Sequence, residues 1–445
     1  MINKISNIFN YKIRNNSNLN ELFQGSKNAL ILKIFGMSLN YLMIMLISKL
    51  YGIGAWGSFA LLLVLIQIGT IFSILGTDIV LLKNIAIFNK REDRRNIIQI
   101  ILRVLIIVII TNLITILIFF MNVNNIQKIF FHRNDLSELI KLAILSIPFT
   151  AFVQLISQVL RGFKSISKHV FIEFISKYLF MISFIIIFYN IEKNNYDIIY
   201  SYLLALFITI IIGISWIYKN INLIGNKNNS KLKNKYKDIL KSSIPLFLAG
   251  SMIFIKTWID SIMLGMYRTE YEVGIYSLVV RLAGLVSLPL MAINTIAAPK
   301  FAEYYAAKKY ADFERTIRYT SKMMFFSATP ILISLLIFGK FLMKLFSDEY
   351  VVGFSALVII CFGQLINVMS GSVGYIMQMT GEEKTFQLIT TFTVIIGVIL
   401  NYYLIPTHGI EGAALATAIT TMIWNISLVL YIKWKFKILT IYIFN

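Results

Sequence analysis

Apolar runs of about 20 residues recur along almost the whole chain, each long enough to cross roughly 30 Å of hydrocarbon at 1.5 Å per helical residue. This pattern marks a polytopic helical membrane protein. Of the 445 residues 58% are hydrophobic and 14% charged, and the mean hydropathy is +0.76; a soluble chain carries about a quarter charged residues. A cytosolic enzyme is therefore excluded. Twelve spans are predicted, at 29–49, 56–82, 97–121, 138–160, 169–189, 197–218, 244–266, 273–297, 317–339, 351–378, 385–404 and 410–432. An even number places both termini on one side.

The net charge of +21 would suggest nucleic acid in a soluble protein. Here the basic residues lie mostly between the apolar runs and read as topology signals. With the N-terminus inside, the inner segments hold 29 of the 42 Lys and Arg residues and the outer segments eight, which predicts that both termini are cytoplasmic. The leader, 1–28, is rich in Asn and Lys and carries no cleavage signal. A basic, Asn-rich linker at 219–243 divides an N-terminal bundle, 29–218, from a C-terminal bundle, 244–432, with a cytoplasmic tail at 433–445. This linker reads as a solvated segment near anionic headgroups, so no nucleic-acid partner is expected.

A weak internal repeat supports the division. With Gly57 set on Gly274, Phe59 falls on Tyr276 and Lys83 on Lys300. Arg161-Gly-Phe-Lys164 is likewise similar to Thr380-Gly-Glu-Glu-Lys384. Two six-helix halves related by a pseudo-two-fold axis along the membrane normal are a common transporter plan.

Several motifs resemble one family. Asp260-Ser-Ile-Met-Leu-Gly265, Glu272-Val-Gly-Ile-Tyr-Ser277, Ala297-Ala-Pro-Lys-Phe301, Leu50-Tyr-Gly52, Trp56-Gly-Ser-Phe59 and Pro406-Thr-His-Gly-Ile-Glu-Gly-Ala-Ala414 are together similar to the polysaccharide transporters. These are the O-antigen-type oligosaccharide flippases of the multidrug/oligosaccharidyl-lipid/polysaccharide (MOP) exporter superfamily. The resemblance implies an all-α, MATE-like, V-shaped pair of bundles in a bacterial inner membrane. It implies movement of an undecaprenyl-pyrophosphate-linked oligosaccharide to the outer leaflet for O-antigen or capsule assembly. Implied partners are that lipid-linked substrate, membrane lipids, a polysaccharide polymerase and chain-length proteins.

Ionisable residues inside spans are costly and are the functional candidates. Five basic residues (Lys33, Arg103, Lys177, Lys256, Arg281) outnumber three acidic ones (Asp78, Glu173, Asp260). Lys33, Arg103 and Asp78 lie within about 6–9 Å of span ends, where long side chains reach the interface. Glu173 with Lys177, and Lys256 with Asp260, are spaced i,i+4, so each pair shares a helix face and can neutralise itself; alternatively both faces line a hydrated cavity. Lys256 lies about 18 Å from its inner end, near the bilayer middle. Arg281 has no carboxylate three or four residues away, and a guanidinium forks phosphate bidentately; it leads the candidates for pyrophosphate or acidic-sugar contact, with Asp260 as a possible interhelical partner. Lys33, Lys177, Lys256 and Arg281 are thus the substrate-binding set, and Asp78, Glu173 and Asp260 the set for coupling to protons or sodium ions. Neutral polar residues at depth, Asn40, Gln67, Asn112, Gln154, Asn294, Gln364, Asn367 and Asn401, fit sugar hydroxyls or, more commonly, interhelical hydrogen bonds, and none is singled out. Pro148, Pro245, Pro289 and Pro330 are expected to kink their helices.

A single cysteine, Cys361, and three scattered histidines, His132, His169 and His408, offer no disulfide or metal centre. No phosphate-binding GxxxxGK[ST] loop, nucleophile elbow or catalytic carboxylate pair occurs. The expectation is a non-enzyme without cofactor. Competing readings are a cation-coupled drug exporter, which should favour an acidic cavity, and a membrane glycan polymerase or ligase, which should need a large extracytoplasmic loop.

Overall fold

A computed structural model describes residues 17–131, 136–191, 193–194, 196–224 and 236–441, with side-chain surroundings from Ile31 onward. Most of the expected leader, the centre of the linker with Lys227, Lys231, Lys233 and Lys235, and also His132 and Arg133, lie outside the described residues.

The described chain is helical throughout its apolar runs. In order, α1 spans Ser17–Tyr51, α2 Ile53–Ile74, α3 Thr77–Lys90, α4 Arg94–Met121, α5 Val123–Phe130, α6 Ser137–Gly162 and α7 Ile166–Ile191. They continue with α8 Asp197–Asn222, α9 Tyr236–Tyr267, α10 Glu270–Ala306, α11 Tyr310–Lys344, α12 Asp348–Ser370, α13 Val373–Met379 and α14 Glu383–Phe436. Eleven of the described helices are long and apolar enough to cross a membrane. The last, α14, has 54 residues, about 80 Å of helix and too long for one crossing. It is two helices joined at Gly409, whose φ of 54° and ψ of −126° interrupt the helical backbone. The carbonyls freed there are not left bare: Arg268 donates from Nε to Ile405 O at 3.1 Å and from Nη2 to Pro406 O at 2.8 Å. The eleven helices thus supply the twelve crossings expected.

Two expected spans are broken. Span 2 turns at Leu75 and Gly76, both at positive φ, between α2 and α3. A Cβ on Gly76 would meet Ser243 O at 2.6 Å and Phe247 N at 2.7 Å, so only glycine fits the approach of α9. Span 10 turns at Gly371, φ 74°, between α12 and α13, where a Cβ would meet Ser321 Oγ at 2.2 Å. A hydropathy window averages across such breaks, because the longer segments on either side of the few polar residues stay apolar. Pro148, Pro245 and Pro330 lie inside α6, α9 and α11, and Pro289 follows a 3-10 turn in α10.

Local sequence explains several helix starts. Asp93 accepts from Asn96 N at 3.1 Å and caps α4, and Thr269 and Glu272 form a reciprocal capping box at the start of α10. Along α4 the usual pattern is inverted. Leu113, Leu117 and Met121 are exposed while Asn96, Asn112 and Thr115 are buried, as expected where the surrounding solvent is hydrocarbon and polar groups hydrogen-bond inward.

The helices pack into two compact units. One takes the described residues of Met1–Leu46, Leu65–Asn124 and Asp135–Ser251; the other takes those of Ile47–Val64, Asn125–Asn134 and Met252–Asn445. In the first, Leu81, Ile85, Ile100, Val104, Leu155 and Ile239 form a core cluster. In the second, Phe301, Phe313, Ile317, Ile376, Leu428 and Ile432 do so. Packing does not follow chain order, since Ile47–Val64, with the first turns of α2, belongs to the second unit.

Candidate functional site

Two of the intramembrane charges of the second unit, Lys256 and Asp260, lie on α9, and the third, Arg281, on α10. Asp260 is the centre of a four-residue polar cluster. Its Oδ1 accepts from Asn401 Nδ2 at 2.6 Å and its Oδ2 from Thr417 Oγ1 at 2.5 Å. The Tyr276 hydroxyl lies 3.3 Å from that same Oδ2 and 2.8 Å from Thr417 Oγ1. Tyr276 comes from α10, Asn401 from α14 before Gly409 and Thr417 from α14 after it. The Asn401 Oδ1 is buried without a hydrogen-bond partner among the described residues. Carboxylate, two hydroxyls and an unused amide oxygen form a compact set of hard oxygens, the donor chemistry that a proton or a small hard cation takes.

Lys256 lies one turn before Asp260 but does not pair with it. Its Nζ sits 3.6 Å from the centre of the Trp424 ring. Arg281 is not bonded to Asp260 either; its guanidinium lies over the indole of Trp56, 5.2 Å from the ring centre. That indole is buried and fixed by its own hydrogen bond from Nε1 to Ser277 Oγ at 2.6 Å.

The second expected i,i+4 pair also fails to close. In α7 the stretch Phe171–Ser176 is a π-helix. This wider turn shifts the phase between Glu173 and Lys177. Glu173 instead accepts from Ser157 Oγ at 2.7 Å and lies 3.3 Å from His169 Nδ1, which is itself 2.7 Å from Ser157 Oγ. Lys177 lies 5.0 Å from the centre of the Tyr178 ring. In the same unit Lys33 lies 4.8 Å from the Phe174 ring and Arg103 5.9 Å from that of Tyr236. Asp78 is buried and accepts from Gln154 Nε2 at 3.2 Å.

The structure therefore corrects the self-neutralising reading of both pairs. All five basic residues assigned to spans lie over aromatic rings, and the three acidic ones are held by neutral hydrogen-bond donors or a histidine. Among the described residues no group of three or more His, Cys, Asp or Glu is placed to hold a metal. Sequence reading missed Thr417, Tyr276, Trp424, Ser157 and His169 as partners. Only two left a signal: Tyr276 within the Glu272–Ser277 motif, and His169 at i,i+4 from Glu173.

Comparison with known proteins agrees with this architecture. The family described as Polysaccharide biosynthesis protein matches residues 23–305, and the MatE family matches residues 245–403. A probable low-salt glycan biosynthesis flippase of Haloferax volcanii is 25% identical over 50% of this chain and 46% of its own length. The capsular polysaccharide biosynthesis protein CapF of Staphylococcus aureus is 27% identical over 48% of this chain and 54% of its own. The matches thus span about half the length of these curated relatives. Among solved structures, a multidrug resistance MATE family transporter of the MOP superfamily, in an inward-facing conformation, superposes with a TM-score of 0.71 at 16% identity. That match covers 92% of this chain and 98% of the other.

Helix content and this superposition together define a multi-pass, all-α membrane protein with the fold of MOP-superfamily transporters. The chain belongs to the polysaccharide biosynthesis protein family. The curated relatives are named as a probable glycan biosynthesis flippase and a capsular polysaccharide biosynthesis protein, and the solved structure that superposes is that of a transporter.

Proposed function

We propose that this protein is a flippase that moves an undecaprenyl-pyrophosphate-linked oligosaccharide from the inner to the outer leaflet of a bacterial cytoplasmic membrane by alternating access, for O-antigen or capsule assembly. Both termini face the cytoplasm in this reading.

The observation that carries it is the setting of the intramembrane cations. A basic side chain at the centre of a membrane helix costs about 2.5–3.5 kcal/mol to insert. A ring beneath it returns only about 0.5–2 kcal/mol and leaves the charge in place. Lys33, Lys177, Lys256 and Arg281 all rest on rings. Cations set on rings in this way suit an anionic substrate such as a pyrophosphate, and disfavour the cationic drugs of an exporter. Arg281 is the leading phosphate contact, because its planar fork matches phosphate oxygens while its face rests on Trp56. Asp260, with its ring of hydroxyl and amide oxygens, is the coupling residue for a proton or sodium ion; Glu173 and Asp78 are the corresponding candidates of the first unit.

The test is removal of the gene followed by analysis of lipid-linked glycans on each leaflet. The intermediate should accumulate on the cytoplasmic leaflet, and the wild-type gene should clear it. Arg281→Ala and Lys256→Ala should leave it accumulated at near-normal protein abundance. Unchanged glycan distribution in the deletion strain would overturn the assignment.

A further inference from the structure

The second unit contains a cavity of about 260 Å³ that none of the charged candidates lines. It lies where α12 breaks into α13, and its walls include Asn294, Asn367, Ser372, Tyr375, Gln378 and Trp424. Interrupted membrane helices open backbone and small side chains toward a ligand space, and here the interruption at Gly371 is itself part of the wall. Pockets for drug-sized ligands run to about 300–1,000 Å³, so this one has room for a single ring.

Its chemistry is specific. Three carboxamides and a hydroxyl face the space together with the Trp424 indole and the Tyr375 phenol. Trp424 is held in place through Nε1, which donates to Thr390 Oγ1 at 3.1 Å, and edge-on by Phe386, 6.0 Å between ring centres. Asn294 is 6% exposed, and its Oδ1 has no hydrogen-bond partner among the described residues. A buried acceptor without a partner is expensive unless a ligand donor meets it. No acidic side chain lines the cavity, and the charge next to it is the Lys256 ammonium on Trp424. A cationic ligand is therefore disfavoured.

We infer that this cavity is a subsite for one glycosyl ring of the substrate, with the apolar sugar face against Trp424 and ring hydroxyls bonded to Asn294, Asn367 and Gln378. An aromatic platform beside fixed amides meets both faces of a pyranose, which is apolar on its C–H side and hydroxylated at its edge. The choice of ligand rests on the flippase reading; the cavity and its orphaned acceptor do not.

The experiment uses the full chain in lipid nanodiscs free of sugar-headed detergent, probed with the methyl glycosides of glucose, N-acetylglucosamine and glucuronic acid by saturation-transfer NMR. At least one glycoside should bind. Asn294→Leu should weaken it by roughly three- to tenfold, the effect of one hydrogen bond, without lowering the thermal midpoint, since it removes an unpaired buried acceptor. Gly374→Val reads the same site by volume, because a Cβ there would lie 3.3 Å from the Trp424 ring; it should reduce binding even where Asn294→Leu does not fold. Binding unchanged in both variants, or binding of tetraphenylphosphonium in place of any glycoside, overturns the subsite. Proteoliposomes carrying undecaprenyl-pyrophosphate-linked N-acetylglucosamine separate the two readings. Flipping that depends on Arg281 without glycoside binding overturns the subsite alone, whereas glycoside binding without flipping overturns the transport assignment alone.

Discussion

Gly57 and Gly274, the two positions that the internal repeat superposes, touch each other. A Cβ on Gly57 would lie 2.9 Å from Gly274 N, and one on Gly274 would lie 3.3 Å from Gly57 N and 2.6 Å from Ile53 O. The opening turns of α2 and α10 thus meet backbone to backbone. In the same unit Trp56 Nε1 donates to Ser277 Oγ, and Ser48 Oγ lies 2.6 Å from the Tyr350 hydroxyl. Glycine is required here for space alone, because neither residue has a positive φ.

Gly57→Ala should therefore be severe. The new methyl would fall 1.6 Å from Glu270 O, a backbone atom that cannot move without its helix, and overpacking of this kind costs about 1–3 kcal/mol or more. Gly54→Ala, where a Cβ meets nothing within 4 Å, should be neutral or stabilising by up to about 1 kcal/mol. Thermal midpoints of the two purified variants check this; equal midpoints would remove the close contact.

Lys256 and Asp260 should behave as independent sites. If they formed a buried pair, removing both charges would restore stability lost on removing one. In the structure each has other partners. The losses of Lys256→Met and Asp260→Asn should add to within about 0.5 kcal/mol in the double variant. Asp260→Asn should also abolish the dependence of transport on an ion gradient whether or not Lys256 is present. Rescue of stability by the double change would reinstate the pair.

Outside the crossings, Glu382 is bound by the Lys435 ammonium and by the Tyr431 hydroxyl, at 2.7 Å for the latter. The hydrogen bond from Lys435, above all, holds its carboxyl below the ordinary range. A depressed folded-state value means that the contribution to stability is complete above the unfolded value, about 4.3, and is lost as pH falls through the folded one. Glu382→Gln should lower the thermal midpoint at neutral pH, and the difference from wild type should shrink progressively below about pH 4. A difference independent of pH would show that the charge contributes nothing.

Basic residues favour the segments assigned to the inner side by 29 to eight. Reporters fused after residue 230 and at the C-terminus should both register cytoplasm. An external signal at either point would overturn the orientation.

Much of this protein is written in the order of its residues. The hydrocarbon thickness sets the length of an apolar run, so twelve crossings can be counted from one sequence, and even the merged α14 divides at Gly409, between the spans expected at 385–404 and 410–432. Motif order was enough to indicate the family. The residues that make up the candidate site were legible only as types: Lys256, Asp260 and Arg281 stand out because charge is rare in such helices, and Asn401 because amides are.

What those residues touch was decided by the tertiary fold. Spacing of four along a helix predicts proximity only while the backbone keeps 3.6 residues per turn and no better partner arrives. The π-helix at Phe171–Ser176 removed the first condition for Glu173 and Lys177. Asn401 and Thr417, 141 and 157 residues beyond Asp260, removed the second for Lys256 and Asp260. The breaks at Gly76 and Gly371, and the glycosyl-sized cavity beside the latter, likewise depend on which backbone approaches from another helix. Apolar length is a property of a segment and can be read within it, whereas the partner of a buried charge is chosen by competition among groups that only folding brings together.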